Sequence, residues 1–277
     1  MSLQRLIDRL QSLYPDASRR SLRQWLAGSR VRVNGAIVLR GDVELDPGDR
    51  VELTSAAPPE CPAPLRLVHE DDHILVIDKP PGLLTIATDR ERERTAYRLL
   101  RDWIRQHGAR DERLFVVHRL DRETSGLMVF AKSVATKEHL QAQFAVRTAE
   151  RHYVALAEGV MRQTEGSFVS RLVEDRALRV QIAERAGGKE AITHYRVLER
   201  RRAATLVELR LVTGRRAQIR AQLAAAGHPI AGDARYGSRT DPIRRLALHA
   251  TRLAFVHPRG SRVTFESPVP AAFDHRA

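Results

Sequence analysis

The stretch HRLDRETSGL, residues 118–127, places a carboxylate between two arginines at a point where an apolar run ends. The run LFVV at 114–117 precedes it, and the run LMVF follows at 127–130. Short apolar runs bounded by turn-forming residues are typical of buried strands. The pattern therefore predicts that Asp121 lies in a loop held between two strands, where proteins usually present reactive groups.

The neighbours of Asp121 leave two interpretations open. Arg119 and Arg122 flank the carboxylate, and nearby positive charge keeps an Asp ionised at neutral pH. An ionised Asp can act as a nucleophile or a base. It can equally close a turn or pair with an adjacent arginine, which is the commoner role of such an Asp. On these ten residues taken by themselves, the structural role is favoured.

The remainder of residues 65–277 mixes strands with few helices. Apolar periodicity predicts helices at 95–107, 134–146 and 215–226. Strands are predicted at 73–78, 114–118, 127–131, 152–157, 167–172, 193–198, 205–212, 247–251 and 262–266. Several strands follow one another without an intervening helix, which favours an α+β fold with a mixed, largely antiparallel sheet and helices packed on it.

Residues 1–55 carry a pattern of their own. Apolar residues recur at helical spacing from Leu3 to Tyr14, and a second helix is expected between Ser18 or Ser21 and Gly28. Short strands with Asn-Gly and Pro-Gly turns follow. The sequence predicts a small helix-helix-strand domain at 1–55, a proline-rich linker at 56–64 and a larger domain at 65–277.

The formal net charge is +13 over 277 residues, and its distribution is uneven. Residues 200–262 contain fourteen arginines, no lysine and three acids, a net +11. A basic region of this size favours a polyanionic partner, and nucleic acid fits best. A genomic preference for arginine codons would explain the excess of arginine over lysine, but it would not explain the scarcity of acids.

Other classes of protein fit the composition poorly. The single cysteine, Cys61, excludes an intramolecular disulfide and multi-cysteine zinc motifs, and the eleven histidines are scattered, so we expect no metal. No apolar stretch reaches the roughly 18 residues of a membrane span. The N-terminus lacks the apolar core of a signal peptide, which predicts a cytoplasmic protein.

Five further blocks of sequence resemble a known family. Together with residues 118–127 they occur in the same order as in that family. HRLDRETSGL is similar to the signature of the RluA-type pseudouridine synthases, which modify ribosomal and transfer RNA. The matching blocks are DKPPGLLT (78–85), RHYVALAEG (151–159), KEAITHYRVLE (189–199), TGRRAQIR (213–220) and GHPIAGDARYG (227–237). Residues 1–55 resemble a small RNA-binding module of a ribosomal protein, chiefly through SRRSLRQWLAGSRVRVNG and PGDRVEL.

The resemblance implies a reaction and three catalytic positions. Enzymes of the family break the bond between ribose C1′ and uracil N1, turn the base and rejoin it through C5, without a cofactor. Asp121 matches the catalytic carboxylate. Tyr153 matches a tyrosine that stacks on uracil and helps to remove the C5 proton, and Arg220 matches the arginine that pairs with the carboxylate. Each residue by itself has a structural alternative, as a core tyrosine or a solvated arginine.

The resemblance also implies contacts with RNA. Arg119 matches a residue that some members insert where the target nucleotide has flipped out. Lys79 and Arg215 are expected to contact phosphate or to line the pocket. The arginines of the N-terminal module that are expected to face RNA phosphates are Arg19, Arg20, Arg23, Arg30 and Arg32, although each would serve equally as a solvated helix or strand residue.

One pair of residues departs from the family. Arg216 and Ala217 stand where Thr-His is common, which leaves the substrate subclass open. The favoured function is an RNA pseudouridine synthase of large-subunit ribosomal RNA, acting as a monomer. Alternatives are a transfer RNA pseudouridine synthase and a non-catalytic RNA-binding or ribosome-assembly factor. A glycoside hydrolase is disfavoured, because that chemistry usually requires two opposed carboxylates.

Overall fold

The computed structural model describes residues 4–28, 30–53, 61–89, 91–107, 113–175, 179–183 and 187–274. The chain divides into two compact units, one of Met1–Ala63 with Tyr97–Leu114 and one of Pro64–Ala96 with Phe115–Ala277. The first unit thus takes in a segment that the sequence pattern placed in the larger domain. Most of the predicted linker at 56–64 lies outside the described residues, so the predicted boundaries stay a prediction.

The first unit is built on two short helices and small sheets. Its elements are β1 (Gln4–Arg5), α1 (Leu6–Leu13), α2 (Arg19–Ala27), β2 (Val31–Val33), β3 (Ala36–Ile37), β4 (Glu44–Leu45) and β5 (Val51–Leu53), and α3 (Ala96–His107) contributes its residues from 97 onward. Ser18 caps α2, since its hydroxyl accepts a hydrogen bond from the Ser21 N–H at 3.1 Å, and Gly28 ends the helix as predicted. Leu10 and Leu22 are fully buried in the core between the helices.

The second unit is one large sheet with helices packed on it. Its strands are β6 (Arg66–Glu70), β7 (Ile74–Lys79), β8 (Phe115–Val116), β9 (Ser125–Ala131), β10 (Glu150–Glu158), β11 (Glu165–Glu174), β12 (Val180–Ile182), β13 (Lys189–Arg200), β14 (Ala204–Leu211), β15 (Leu248–Val256) and β16 (Arg262–Glu266). Its helices are α4 (Val134–Ala145) and α5 (Gln218–Ala225), with 3-10 turns at Ala234–Tyr236 and Ala271–Asp274.

The order of strands confirms the predicted fold class. The path across the sheet runs β12, β11, β13, β14, β10, β15, β9, β7, β6, while β16 pairs with β15 and β8 with β9. Among the described strands, the pairing of β9 with β15 is parallel and the other ladders of this sheet are antiparallel. The fold is therefore α+β with a mixed, largely antiparallel sheet.

Strand β15 joins the two halves of this sheet. It pairs with β10 on one side and with β9 on the other, although β9 lies more than a hundred residues earlier in the chain. The two strands meet where Gly126 faces Ala250. Gly126 has φ +114°, and a Cβ atom there would collide with the Ala250 backbone. Glycine is thus required for the close approach of the two strands.

Several predicted bounds were wrong for local reasons. The helix predicted at 215–226 begins only at Gln218, because Ala217 adopts the left-handed conformation with φ +47° and the Gln218 amide oxygen accepts the Arg215 N–H. The strand predicted at 114–118 is reduced to Phe115–Val116. Strands β6 and β12 were not predicted, because each is short and mixes charged or polar residues with apolar ones. No helix in the described part of the chain could cross a membrane.

Candidate active site

Lys79 holds the loop that carries Asp121. Its ammonium group donates to the backbone carbonyls of Pro80 and Leu83, each at 2.8 Å, and to that of Arg122 at 3.1 Å. The residue is fully buried, and this burial lowers the pKa of Lys79 to about 7. The predicted contact of Lys79 with RNA phosphate does not fit this placement, because its three donors already serve the protein backbone.

Thr85, at the end of the same DKPPGLLT block, fixes the residue just before the carboxylate. Its hydroxyl donates to the Leu120 carbonyl at 2.9 Å and accepts the Leu120 N–H at 3.2 Å. Nearby, the Gly82 N–H donates to the Arg122 carbonyl at 2.9 Å. The backbone on both sides of Asp121 is therefore tied to the segment that follows β7.

A chain of buried polar groups lies beneath this loop. Arg245 donates to the Ser125 hydroxyl at 2.9 Å, and Ser125 lies 2.8 Å from Nδ1 of His249. Nε2 of His249 lies 3.0 Å from the Ser267 hydroxyl, which donates to Asp78 at 2.5 Å. Burial lowers the pKa of His249 to about 4, so the ring is neutral at pH 7 and passes hydrogen bonds between the two serines.

Asp121 pairs with Arg220, and a second carboxylate fixes that arginine. Nη1 of Arg220 lies 3.3 Å from Oδ2 of Asp121. Nε and Nη2 of Arg220 donate to the two oxygens of Asp233 at 2.7 and 2.8 Å, and the guanidinium lies 4.8 Å from the centre of the Tyr236 ring. Burial by itself would lower the pKa of Arg220, but the hydrogen bonds and charge of Asp233, with the charge of Asp121, raise it above its usual value.

Buried amides anchor the helix that carries Arg220. The Gln218 amide accepts from Thr213 at 2.8 Å and donates to the Thr193 hydroxyl at 2.8 Å. Thr193 donates in turn to the Gln222 amide oxygen at 2.6 Å, and Gln222 donates to the Ala191 carbonyl at 3.1 Å. Because these groups are buried and paired, α5 is held in one register against β13.

Tyr153 faces the same pocket from β10. It is 6% exposed, and burial raises the pKa of its hydroxyl, while the nearby charge of Arg151 lowers it. Arg151 lies two residues earlier, so its side chain projects from the same face of the strand. Its guanidinium lies 5.3 Å from the centre of the Phe144 ring.

These groups line a cavity of about 130 Å³. The structure brings together the predicted residues Asp121, Tyr153, Arg220, Arg119 and Arg215 around it, whereas Lys79 lies behind the loop. Its apolar wall includes Leu120, Leu211, Ile219 and Leu248. A half-apolar cavity with one carboxylate, one phenol and several cations suits a flat, polar ring that carries transient charge.

Exposed arginines surround the mouth of the cavity. Arg119 and Arg215 are exposed, and Nε of Arg215 donates to the Glu190 carbonyl at 3.0 Å. Arg216, which stands in the position of the usual Thr, forms an ion pair with Glu174. The cation cluster at the mouth matches the requirement for a polyanionic ligand.

The N-terminal arginines are distributed over α2 and β2. Arg19 and Arg23 are exposed and line a basic cavity of about 420 Å³ together with Arg5 and Arg40. The others that were predicted to face RNA are partly buried: Arg20, Arg30, which lies over the Trp25 ring at 5.6 Å, and Arg32, which donates to the Gly35 carbonyl at 2.9 Å.

Comparison with known proteins identifies the family. A family model described as RNA pseudouridylate synthase matches residues 73–225, more than half of the chain. The chain belongs to the RNA pseudouridylate synthase family. The predictions of the family, of the fold class and of an isomerase that converts uridine in RNA to pseudouridine are thereby confirmed.

Two relatives align with nearly the whole of this chain, and a solved structure aligns with about three quarters of it. The ribosomal large subunit pseudouridine synthase D of Haemophilus ducreyi is 36% identical over 97% of this chain and 88% of its own length. The RNA pseudouridine synthase YlyB of Bacillus subtilis, which is described as uncharacterized, is 36% identical over 94% of this chain and 89% of its own. The solved structure of human RNA pseudouridylate synthase domain containing 4 has a TM-score of 0.64 and 26% identity, over 76% of this chain and 90% of that one.

Sequence reasoning about the synthase missed four residues of the site. Thr85, Arg151, Asp233 and Tyr236 all lie in blocks that resemble the family, but none was assigned a role. The signal was present for Asp233, since a buried arginine requires a carboxylate partner. The environment of Arg151 depends on Phe144 and Gly214, which only the folded chain brings together.

Proposed function

We propose that the enzyme modifies uridine in large-subunit ribosomal RNA and that Asp121 is its catalytic carboxylate. The observation that carries the proposal is the 3.3 Å contact of Asp121 with Arg220 in the cavity that Tyr153 lines. The choice of ribosomal RNA rests on relatives named ribosomal large subunit pseudouridine synthase D in Haemophilus ducreyi, Pasteurella multocida and Vibrio parahaemolyticus.

The geometry supports a nucleophile or base that is held by a cation. Arg220 contacts Oδ2 of Asp121, whereas Oδ1 accepts no hydrogen bond from the described residues and so remains available to substrate. Because Asp233 holds Arg220 through two further bonds, the guanidinium fixes the carboxylate in place. In the proposed reaction Asp121 acts on the ribose or the ring and is regenerated at the end, so that one carboxylate is sufficient.

Tyr153 has the complementary role in this proposal. Its ring forms a stacking surface for the uracil while the base is detached, and after the new C1′–C5 bond has formed its hydroxyl oxygen takes up the C5 proton as its own proton passes to water. Arg119 fills the gap that a flipped nucleotide leaves in the RNA. Arg215 at the mouth and Arg19, Arg20, Arg23, Arg30 and Arg32 of the first unit bind phosphates.

The proposal includes the setting of the reaction. We infer that the enzyme works in the cytoplasm as a monomer, without a cofactor or a metal. The described residues contain no group of three or more histidine, cysteine or acidic side chains arranged to hold a metal ion. Transfer RNA is the second candidate substrate, because some members of the family that this chain resembles modify transfer RNA. A non-catalytic RNA-binding or ribosome-assembly factor is disfavoured, since such a protein would have no need of the paired carboxylate.

Release of tritium from RNA labelled at uracil C5 tests the proposal, since the isomerisation must transfer that hydrogen to water. We expect release with large-subunit ribosomal RNA, none with Asp121→Asn, and RNA affinity of this variant within a few-fold of wild type. Asp72→Asn, at a half-buried aspartate that does not line the cavity, serves as the control. Release from transfer RNA only would overturn the ribosomal assignment. A turnover number for Asp121→Asn close to that of wild type would remove Asp121 from the mechanism.

A further inference from the structure

Arg151 is a half-buried cation that lines the cavity in an unusual environment. Its guanidinium lies over the Phe144 ring, 5.3 Å from its centre. On another side it occupies the place that a Cβ atom of Gly214 would take, so any other residue at 214 would displace it. The group thus lies in space that glycine at 214 leaves open, beside Tyr153 and within the same cavity as Asp121.

The guanidinium of Arg151 has no polar partner among the described residues. None of its nitrogens donates a hydrogen bond to a residue that the structure describes, and its Nε is buried without a partner there. Burial lowers the pKa of Arg151, and the nearby Tyr153 offsets only part of this effect. A partly buried cation without a carboxylate or carbonyl partner is costly, so its retention in a cavity indicates an acceptor that arrives with the ligand.

Three other cations at or behind the cavity already have protein partners. Arg220 is shared between Asp121 and Asp233, and Lys79 donates to three backbone carbonyls. Arg216 is paired with Glu174 at the mouth of the cavity. Among the described residues that line the cavity, Arg119 and Arg151 are cations with no hydrogen bond to a described residue; Arg119 is exposed, whereas Arg151 lies beside Tyr153 with its donors free for a substrate.

The reaction supplies a matching acceptor. When the bond between C1′ and N1 breaks, its electron pair leaves with the base and spreads over N1, O2 and O4. The pair that forms the new bond to C1′ comes from the ring at C5, the C5 proton is then lost, and N1 gains a proton. After the bond to N1 breaks and before the bond to C5 forms, the detached uracil is an anion. A hydrogen-bond donor that is held in position to stabilise this charge accelerates the reaction.

We propose that Arg151 is a further catalytic residue, whose guanidinium donates hydrogen bonds to the carbonyl oxygens of the detached uracil anion. This rests on the proposed function of the same cavity. The base is favoured over a phosphate because Arg151 shares a face of β10 with the nearly buried Tyr153, whereas the exposed Arg119 and Arg215 lie at the mouth where the RNA backbone must remain.

Single-turnover kinetics with tritiated ribosomal RNA, together with equilibrium RNA binding, test this role. Arg151→Met keeps the volume and removes the charge, and we expect its single-turnover rate to fall at least about 100-fold while RNA affinity changes less than about three-fold. Arg151→Lys should retain more of the rate than Arg151→Met. Added guanidinium at millimolar concentration should restore part of the rate of Arg151→Ala. Arg252→Met, at an exposed arginine of β15, is the matched control.

Each other result has a definite meaning. Weaker RNA binding with a smaller salt dependence, at an unchanged single-turnover rate, would identify a phosphate contact and overturn the proposal. A lower melting temperature without guanidinium rescue would show a structural role and overturn it as well. Failure of the proposed function would be seen separately, as absence of tritium release from the wild-type enzyme, whereas an active wild type with an equally active Arg151→Met rejects the role of Arg151.

Discussion

The residues around Asp121 show which parts of the site can be read from sequence. Asp121, Tyr153 and Arg220 were singled out by their motifs, and the structure places all three in one cavity. Lys79 was misjudged, because a lysine in a sequence does not reveal that its ammonium group will be buried among carbonyls. Arg151 was missed for a similar reason, since its significance lies in the absence of a partner, which no local pattern encodes.

His118, the first residue of the signature, makes the stability of the enzyme sensitive to acid. Nε2 of His118 accepts the Val129 N–H at 3.2 Å, and the ring stacks on Phe144 at 4.9 Å. Burial, and next the charge of Arg151, lower the pKa of His118 to about 3. Between its ordinary pKa of about 6.5 and this value the unfolded chain binds a proton that the folded chain does not, so stability is present above pH 6.5 and is lost as the pH falls.

We therefore predict a smaller acid dependence in His118→Gln, whose amide oxygen accepts a hydrogen bond but does not titrate in this range. Urea unfolding at pH 7, 6 and 5 measures the free energy of unfolding of both proteins. The wild type should lose its advantage over the variant as the pH is lowered. A constant difference between the two proteins across this range would refute the assignment of a neutral, buried His118.

At the scale of elements, the parallel contact of β9 with β15 assembles the site. This pairing joins residues 124 positions apart, as in the contact of Ser125 with His249. Periodicity identified the strands that meet here and the α+β class, because those depend on neighbouring residues. It did not identify the pairing partners, because register across the sheet is decided by contacts between distant parts of the chain.

Gly126→Ala tests this contact directly. Both the Cβ collision with Ala250 and the φ of +114° oppose the substitution, so we predict a loss of unfolding free energy of about 3 kcal/mol or more and a loss of activity. Gly82→Ala is the matched control, because Gly82 has φ +81° with open space around the added atom, and the left-handed conformation by itself costs about 1 to 2 kcal/mol. Equal melting temperatures of the two variants would show that the β9 and β15 contact is not tight.

At the scale of the whole molecule, the positive net charge is the feature that is most directly evident from the sequence. The net +13 and the basic 200–262 region indicated a polyanion, and the family confirms RNA. Composition could not locate the individual contacts. Of the arginines of the first unit that were predicted to contact RNA, Arg19 and Arg23 are exposed around a basic cavity, whereas Arg32 donates a hydrogen bond to the Gly35 carbonyl.

Neutralising the first unit should weaken RNA binding in a salt-dependent way. In the triple variant Arg19→Gln, Arg23→Gln and Arg32→Gln, each lost phosphate contact should reduce the slope of log affinity against log salt by about 0.7 to 0.9. The single-turnover rate at saturating enzyme should stay near that of wild type. Arg196→Gln with Arg252→Gln is the control, since each of these arginines already faces a glutamate. An unchanged slope in the triple variant would remove these arginines from the RNA interface.

The central position of β15 also bears on when the enzyme can first act. A ribosome delivers the segment with Asp121 first and the segments with Tyr153 and Arg220 later, and the strand that unites them, Leu248–Val256, leaves the exit tunnel after all three. Until then Asp121 lies on one part of the nascent chain, and Tyr153 and Arg220 lie on another part that has not yet paired with it. Competence consequently arrives only after residues 248–256 have been translated, and prematurely terminated products that stop short of residue 248 should release no tritium from labelled RNA.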